Sequence, residues 1–357
     1  MDVHTAVSVS MLPVSRLKVA AAFKELRHQS GIDLLAAVLE ACSVAPESRA
    51  EMISVAHDRA ARALKEAPAT NAEAVTLADP RYPPLLTCTW DPPPVLWVRG
   101  DLACLACPAV AVVGSRAASG YALEVAERLG DELARRGVVV VSGLARGVDS
   151  AAHRGCLSTG PTVAVLGSGL DRIYPPEHET LALSICRNGV LVSELGPGAK
   201  PSPEHFPLRN RIISGISLAV VVVEASEKSG SLITARFALQ QGRDVMAVPG
   251  SILSGRNRGS HGLLKDGAKV VETADDILEE LGWGTTLGVP LFPRKSLQND
   301  PLVAAMDVGD VYGLDELVAL SGVPAPRLLT RLTELELNGD IRRVEGGRFV
   351  RVDRSKY

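Results

Sequence analysis

A strand-like apolar run ends at Gly114, and the residues directly after it are of types that bind phosphate. Residues 109–120 have the sequence AVAVVGSRAASG, which places Ser115 and Arg116 after the glycine. In nucleotide-binding α/β proteins, a strand that ends in glycine and turns into a helix holds phosphate through backbone amides. The dinucleotide fingerprint G-x-G-x-x-G would need glycines where this chain has Arg116 and Ser119. The loop therefore predicts a phosphate site that uses a guanidinium group.

Further loops that follow predicted strands carry the same residue types. They lie at 142–153, 167–175, 206–215 and 224–236, and they contain Gly, Ser, Arg and Asn. Because ligands of open parallel sheets bind beyond the carboxyl ends of the strands, we expect these loops to meet at one edge of the sheet. Taken singly, each glycine fits a plain turn and each arginine a surface charge. Together, the loops predict a ligand with several phosphates.

Catalytic and metal chemistry have weaker support in the sequence. Asp149 and His153 are four residues apart and would share a helix face, where they could form an acid/base pair or brace the loop. No serine or cysteine with an obvious base accompanies them. Glu194 and Glu224, at strand ends, could act chemically or could cap loops by accepting N–H bonds. The seven histidines are isolated and the cysteines form a single C-x-x-C at 104–107, so no metal is predicted.

Short Val-rich runs alternate with helix-length segments through the middle of the chain. The runs lie at 109–114, 138–143, 162–169, 190–194, 218–225 and 244–250, with a seventh, shorter run at 269–272. Their uniform hydrophobicity indicates strands that are buried on both faces. This alternation predicts an α/β fold with a doubly wound, mostly parallel sheet.

The segments on either side of this pattern differ in composition. The N-terminal segment is rich in Ala and Leu at helical spacing, whereas prolines crowd residues 78–102 and predict an extended lead-in with an edge strand at 95–100. Near the C-terminus, helices at 314–322 and 326–339 followed by a hairpin at 341–352 predict a winged helix. We predict a small helical (SAM-like) domain at 1–75, the α/β domain at 76–284, a linker at 285–300 and the winged helix at 301–357.

Composition limits the class of ligand. A net charge of −3 argues against a generally basic nucleic-acid binder, so any such site must come from local clustering. Aromatic residues make up only 4% of the chain, which disfavours a stacking platform of the RNA-recognition or OB type. The longest aliphatic run, 218–223, is far too short to span a membrane. No secretion signal is visible, so we expect a cytoplasmic protein with reduced thiols and no membrane partner.

A series of segments resembles the DprA (Smf) family in order and spacing, over roughly residues 80 to 272. They are VVGSR, VSGLARGVDSAAH, VLGSGLDRIYP, SELGPG, FPLRNRIISG, VVEASEKSGSLITA and GRDVMAVPG. The resemblance implies an extended Rossmann-like domain that binds single-stranded DNA, protects incoming strands in natural transformation and loads the recombinase RecA. It also implies a homodimer formed through this domain, for which we expect a surface around Leu263, Leu264 and Val270. The helical and winged-helix modules agree with the variable flanking modules of the family.

The resemblance assigns binding residues to the loops. The implied single-stranded DNA and phosphate ligands are Gly114, Ser115, Arg116, Ser142, Gly143, Arg146, Gly147, Asn210, Arg211, Lys228, Ser229, Gly230, Ser231 and Thr234. Phe206 could stack on a base, although a proline-flanked Phe is more often a core residue. In the winged helix, Arg342, Arg343, Arg348 and Arg351 fit a secondary contact with double-stranded DNA and a protein contact equally well. No cofactor, metal or catalytic residue is predicted.

An enzyme is the alternative interpretation. Nucleoside-monophosphate phosphoribohydrolases of the lysine-decarboxylase-like (LOG) group share a similar sheet and the turn P-G-G-x-G-T-x-x-E. The comparable turn here, SGSLITARF, has Thr234 but carries Phe237 where the catalytic Glu would stand. Strand binding is therefore favoured over hydrolysis, and release of free base from nucleoside monophosphates would support the enzyme instead.

Overall fold

The chain folds as two units, Met1–Leu291 and Phe292–Tyr357, which are described separately. The computed structural model describes residues 2–28, 33–283, 301–306, 311–321, 323–324, 328, 331–332, 335, 341–344 and 348–351. The predicted linker at 285–300 lies outside the described residues. Among these residues, none of the helices combines the length and the hydrophobicity that a transmembrane segment needs.

A nine-stranded sheet forms the centre of the first unit. Its strands are β1 (Glu73–Thr76), β2 (Val95–Gly100), β3 (Ala109–Val113), β4 (Val139–Ser142), β5 (Thr162–Leu166), β6 (Val190–Ser193), β7 (Ala219–Val222), β8 (Asp244–Ala247) and β9 (Lys269–Val270). Their spatial order is β1-β2-β6-β5-β4-β3-β7-β8-β9. The strands from β6 to β9 in this order pair in parallel, and β1 and β2 pair antiparallel. The strand order reverses at β3, so the predicted doubly wound, mostly parallel sheet is confirmed.

Helices follow most strands of the sheet. In the first unit they are α1 (Val3–Ser10), α2 (Arg16–Leu26), α3 (Leu34–Ala41), α4 (Pro46–Glu66), α5 (Pro84–Thr87), α6 (Gly120–Arg135), α7 (Val148–Leu157), α8 (Glu179–Asn188), α9 (His205–Ile216), α10 (Ser231–Gln240), α11 (Arg258–Lys265) and α12 (Ala274–Glu280). Every residue of β3 and β4 is buried. Because side chains alternate between the two faces of a strand, both faces must be covered, as the unbroken Val runs predict.

The N-terminal edge of the sheet differs from the prediction. Residues Glu73–Thr76 form the edge strand β1, which pairs antiparallel with β2, although the sequence analysis assigned all of them but Thr76 to the helical segment. The strand at 95–100, predicted to lie at the edge, is therefore internal, between β1 and β6. A strand of four residues is too short to show alternation, which is why the sequence pattern missed it.

The second unit has a small antiparallel sheet with two described helices. Its elements are α13 (Pro301–Ala305), β10 (Val311–Tyr312), α14 (Leu314–Ser321), β11 (Ile341–Val344) and β12 (Arg348–Arg351), with strand order β10-β12-β11. The predicted helix at 314–322 and the β11–β12 hairpin are present. Of the predicted helix at 326–339, Leu328, Leu332 and Leu335 are helical and buried, and most other positions lie outside the described residues.

Candidate nucleic-acid interface

A cavity of about 580 Å³ lies at the carboxyl end of the sheet. Its lining comes from segments after β3, β4, β5, β6 and β7, namely Val113–Ala117, Ala145, Asp149, Tyr174, Pro203, Phe206, Pro207, Arg209, Asn210, Ile213, Ser226, Ser229–Ser231, Ile233 and Thr234. Strands β3 and β7 are neighbours where the strand order reverses, which is the usual ligand position in open α/β sheets. We call this space the β3–β7 cavity. The loops predicted to meet at one edge do meet there.

The cavity contains some of the predicted binding residues and omits others. Those in its lining are Gly114, Ser115, Arg116, Phe206, Asn210, Ser229, Gly230, Ser231 and Thr234. Those outside it are Ser142, Gly143, Arg146, Gly147, Arg211 and Lys228. The loops after β3 and β7 therefore supply most of the predicted ligands that line the cavity. The second loop contributes Ala145 and Asp149 to the lining, but none of its predicted ligands.

The loop after β3 is held in place from below. The Ser115 amide donates to the Glu224 carbonyl oxygen at 2.7 Å, and the Ser115 hydroxyl accepts from the Ala117 amide at 3.2 Å. Gly147 has a φ of +76°, and a Cβ there would lie 2.2 Å from the Ser115 carbonyl oxygen. Gly147 thus supports the loop through close backbone approach. Arg256, which the sequence analysis did not select, donates from Nη1 to the Ala117 carbonyl oxygen at 2.7 Å.

Arg116 and Phe206 meet at the mouth of the cavity. Arg116 is exposed, and its guanidinium carbon lies 5.2 Å from the centroid of the Phe206 ring, a cation–π arrangement. Phe206 is half-buried, and its ring centroid lies 5.4 Å from that of Tyr174, which is itself 39% exposed. Phe206 therefore faces the cavity together with a second aromatic ring, although the sequence favoured a core position. Its stacking on a base stays a prediction.

The start of helix α10 supplies hydroxyl groups and a helix dipole. The Ser229 and Ser231 hydroxyl oxygens are 2.8 Å apart, and Asn210 Nδ2 donates to the Gly230 carbonyl oxygen at 3.3 Å. Thr234 lies about one turn further along the helix. The first N–H groups of α10 already have acceptors within the turn: the Ser231 amide donates to the Ser229 hydroxyl at 3.4 Å, and those of Leu232 and Ile233 donate to backbone carbonyl oxygens. The partial positive charge of the helix N-terminus and the two hydroxyl groups are what favour an anion here. The arrangement can hold one phosphate at this point.

Beneath the cavity lies Arg209, a buried cation that the sequence analysis did not choose. Its Nη1 donates to the Gly143 carbonyl oxygen at 2.6 Å and also to that of Val165, and its Nε donates to Asn210 Oδ1 at 3.1 Å. Burial lowers the pKa of Arg209 to about 10, and nearby Asp149 opposes that shift. Arg209 therefore stays charged at neutral pH. It adds positive potential below the ligand and orients Asn210.

Asp149 braces the loop after β4, and it does not form an acid/base pair with His153. Its Oδ2 accepts from the Gly143 and Ala145 amides at 3.1 and 3.3 Å, while burial raises the pKa of this carboxyl. His153 Nδ1 lies 2.8 Å from the Thr162 hydroxyl, and burial lowers the pKa of the imidazole to about 3. His153 is fully buried and lies outside the cavity lining, so the bracing interpretation holds.

Three of the predicted ligands are taken up by internal contacts. Arg211 is 1% exposed and lies 2.6 Å from Glu194 Oε1 and 3.3 Å from Asp91 Oδ2, outside the cavity lining. The hydroxyl of Ser142 is buried and donates to the Val112 carbonyl oxygen at 2.7 Å. The amide of Gly143 is already bonded to Asp149. These three residues support the loops from inside and lie outside the cavity lining, so the structure does not bring them together with the other predicted ligands.

Arg146 and Lys228, the remaining predicted cations of the first unit, are exposed and lie outside the cavity lining. Arg146 forms an ion pair with Glu177, whose pKa is lowered by this contact, and Lys228 is exposed beside the α10 loop. In the second unit, Arg348 is exposed and Arg351 donates to the Met306 carbonyl oxygen at 3.0 Å. The side chains of Arg342 and Arg343 lie outside the described residues. A duplex contact by the wing stays a prediction.

Glutamates at the strand ends have structural partners. Glu224 is 2% exposed and accepts from the Ser119 amide at 3.1 Å and from its hydroxyl at 2.6 Å, which fixes the start of α6. Glu194 accepts from Arg211. Both carboxylates stabilise loops, one of the two roles that the sequence left open. In the ranges covered by the structure, no group of three or more His, Cys, Asp or Glu side chains is placed to hold a metal ion.

Comparison with known proteins gives matches across both units. The family model described as DNA recombination-mediator protein A matches residues 73–282, and that of the DprA winged helix domain matches 293–347. Protein Smf of Escherichia coli (strain K12) is 45% identical over 286 residues, which cover 77% of this chain and 76% of that protein. DNA processing protein DprA of Streptococcus pneumoniae is 45% identical over 206 residues, or 57% and 73% of the two chains.

Solved structures give a consistent result. The X-ray structure of DNA processing protein A from Streptococcus pneumoniae has a TM-score of 0.72 and 34% identity, covering 78% of this chain and 98% of that one. A structure of DNA processing protein A from Helicobacter pylori, described by its single-stranded DNA binding mode, has a TM-score of 0.54 and 30% identity, covering 59% and 97%. Every residue that lines the β3–β7 cavity falls within the matched range 73–282.

Proposed function

We propose that this chain, which belongs to the DNA recombination-mediator protein A family, binds single-stranded DNA in the β3–β7 cavity. The membership confirms the resemblance to the DprA (Smf) family and the winged-helix module. The observation that carries the proposal is the juxtaposition of exposed Arg116, the Phe206 ring and the N-terminus of α10 in one cavity. The description of the Helicobacter pylori relative as a single-stranded DNA binder supports it.

The geometry suggests how a strand is held. One phosphate lies at the start of α10, where the Ser229 and Ser231 hydroxyls and the helix dipole stabilise its charge. Arg116 reaches a second phosphate from the opposite wall, and an unstacked base rests on Phe206 beside Tyr174. Hydroxyls, amides and guanidinium groups contact the backbone of the strand and not its base edges. Sequence preference should therefore be weak.

We propose a binding role without catalysis. The carboxylate that lines the cavity, Asp149, already accepts from two backbone amides, and it is held below the ligand. Phe237 on α10 replaces the carboxylate that the hydrolase turn would provide. The buried His153 is neutral and bonded to Thr162, so it cannot serve as a base for a ligand in the cavity.

Salt dependence tests strand binding directly. If about four phosphates are neutralised, log K should fall against log salt with a slope of roughly −3, because each single-strand contact contributes about 0.7. Arg116→Ala should weaken binding about tenfold for all sequences and reduce the slope by about 0.7. Fluorescence anisotropy of labelled oligonucleotides at several salt concentrations measures both.

A matched control uses Arg135, which pairs with Asp131 at the far end of α6. Arg135→Ala removes the same charge and should leave affinity and slope within twofold of the unmodified chain. A salt slope near zero for the wild-type chain would contradict the proposal. Equal losses of affinity in Arg116→Ala and Arg135→Ala would show that binding depends only on the net charge of the chain.

We also propose that the chain forms a homodimer through the C-terminal edge of its sheet. Strand β9 is the last strand of the sheet, and its Val270 is 46% exposed. Leu263 and Leu264 on α11 are half-buried in the single chain. We expect Leu264→Glu to halve the molar mass measured by light scattering, because a charge would be buried at the interface. An unchanged mass would exclude this surface.

Family membership supports a proposal for the finer biological role. We propose that the chain acts in the cytoplasm, where it protects incoming strands in natural transformation and loads RecA onto them for recombination. Because strand protection requires binding in the cavity, the Arg116→Ala variant should protect single strands less, in proportion to its loss of affinity. The test is RecA assembly on coated single strands, which the wild-type chain should accelerate and Arg116→Ala should not. No acceleration by the wild-type chain would contradict RecA loading while leaving strand binding intact.

A further inference from the structure

A second pocket, of about 390 Å³, lies between the N-terminal helices and the first turns of α9. Its wall includes Arg16 at the start of α2, Arg59 on α4, and Glu204, His205 and Leu208 at the start of α9. We call it the α2–α9 pocket. Its residues take no part in the binding described above, and its two arginines come from different helices.

The two spaces are neighbours because they share helix α9. Phe206 and Asn210 line the β3–β7 cavity, whereas His205 and Leu208 line the α2–α9 pocket. A helix with its side chains is about 10–12 Å across, so the openings lie on either side of one short helical segment. A polymer held in the cavity therefore has a short route over the start of α9 into the pocket.

The charges of the pocket suit an anion. In the part of the chain that the structure describes, neither Arg16 nor Arg59 has an ion pair or a side-chain hydrogen bond. By contrast, Arg49 on the same helix as Arg59 pairs with Glu40 at 3.1 Å. The carboxylate in the pocket wall is that of Glu204, whose side chain is 77% exposed and can turn toward water.

Two polar features add to the arginines. The Nδ1 atom of His205 is buried and has no hydrogen-bond partner among the described residues. Helix α2 has 11 residues and begins at Arg16, and the side chain of its N-cap residue Ser15 makes no capping bond. The first N–H groups of α2 are therefore open to an acceptor that enters the pocket. A phosphate would satisfy both the cations and these donors.

We infer that the α2–α9 pocket binds a further phosphate of the same DNA strand that occupies the β3–β7 cavity. Arg16 and Arg59 are its cationic ligands, and the strand passes over the start of α9. The inference rests on the proposed function and deepens it. It gives the N-terminal helices a direct part in binding, and it makes affinity depend on the length of the strand.

A length series of oligothymidylates tests this path in the full chain. Wild-type affinity should rise about tenfold at the length that reaches the second pocket, because charged hydrogen bonds to a phosphate are added. Arg16→Ala/Arg59→Ala should bind the shortest oligonucleotides like the wild type and lack that rise. Its salt slope for long strands should be smaller by about 0.7, because the contact with one phosphate is lost. Arg62→Ala, on α4 but outside the pocket wall, should behave as the wild type.

The outcomes separate this inference from the proposed function. Arg116→Ala should lose affinity at every length. If the double variant follows the wild type at all lengths while Arg116→Ala is weakened, the second pocket is not on the path and the proposed function stands. If two short strands bind per chain, the pocket takes a separate strand and the inference is wrong. If the wild type binds no strand, both fail.

A second variant keeps the test independent of any loss of folding. Glu204→Gln removes the negative charge from the pocket wall without removing a ligand. It should therefore raise the affinity for long strands about twofold to threefold and leave the affinity for short strands unchanged. Photo-crosslinking of a thiothymidine-labelled long strand to the wild-type chain should modify residues 10–17 or His205. Crosslinks confined to the β3–β7 cavity, together with no effect of Glu204→Gln, would overturn the inference.

Discussion

Replacing Arg211 with methionine is expected to lower the free energy of unfolding by about 3–5 kcal/mol. The guanidinium is 1% exposed, and it is held by Glu194 Oε1 at 2.6 Å, by Asp91 Oδ2 at 3.3 Å and by the Asp91 carbonyl oxygen at 2.9 Å. Methionine fills most of the volume but leaves two buried carboxylates without a cation. Removing one partner of a buried ion network costs much more than the network contributes, because the remaining charge is unpaired.

Urea denaturation of the two proteins measures the loss, and a rescue identifies its cause. Adding Asp91→Asn and Glu194→Gln to Arg211→Met should recover most of the lost stability, because no buried charge is then left unpaired. Affinity for single-stranded DNA, measured at a temperature where the variant is folded, should stay within threefold of the wild type. A tenfold loss of affinity with unchanged stability would instead restore Arg211 as a direct DNA ligand.

Helical geometry explains why Arg209 of FPLRNR lines the cavity and Arg211, which the sequence reasoning chose, does not. Residues two apart on a helix point in nearly opposite directions, so Arg209 and Arg211 could not both face the cavity. The structure places Arg209 beneath the cavity and Arg211 in the ion network with Asp91. Nothing local distinguishes the two. The choice depends on Asp91 and Glu194, which are distant in sequence from this helix.

The sheet could be predicted because its signal is local and repeated. Val-rich runs such as 109–113 and 138–142 indicate strands buried on both faces, and their carboxyl ends must share one edge. The position of the cavity followed from this topology. The strand at Glu73–Thr76 was missed because its pairing with β2, not its own pattern, makes it a strand.

Which groups remain available to a ligand could not be predicted. The Ser115 amide bonds to Glu224, the Gly143 amide bonds to Asp149, and the Ser142 hydroxyl bonds to Val112. The first bond joins two loops, the second joins a loop to its own helix and the third joins strand β4 to β3, so each depends on the folded arrangement. The sequence therefore predicted a set of candidate donors, but the packing of the folded chain determines which of them are already bonded inside the protein.

Gly230→Asp is expected to weaken single-stranded DNA binding on the order of 1000-fold while slightly stabilising the fold. Gly230 lines the β3–β7 cavity, and a Cβ built there meets nothing within 4 Å. A carboxylate at this position lies where we place a phosphate, and two like charges about 4 Å apart near a protein surface repel by about 4 kcal/mol. The same carboxylate sits at the N-terminus of α10, where the helix dipole stabilises it by about 0.3–1 kcal/mol.

The opposite signs of the two effects make the experiment discriminating. Gly230→Ala adds the Cβ without charge and should keep affinity within threefold, and Gly120→Asp adds the same charge at the start of α6, outside the cavity lining, where a Cβ also meets no neighbour. Anisotropy gives affinity and thermal melting gives stability for all three variants. Equal losses for Gly230→Asp and Gly120→Asp would mean that the negative charge acts only at long range. Wild-type affinity in Gly230→Asp would remove the start of α10 from the phosphate path.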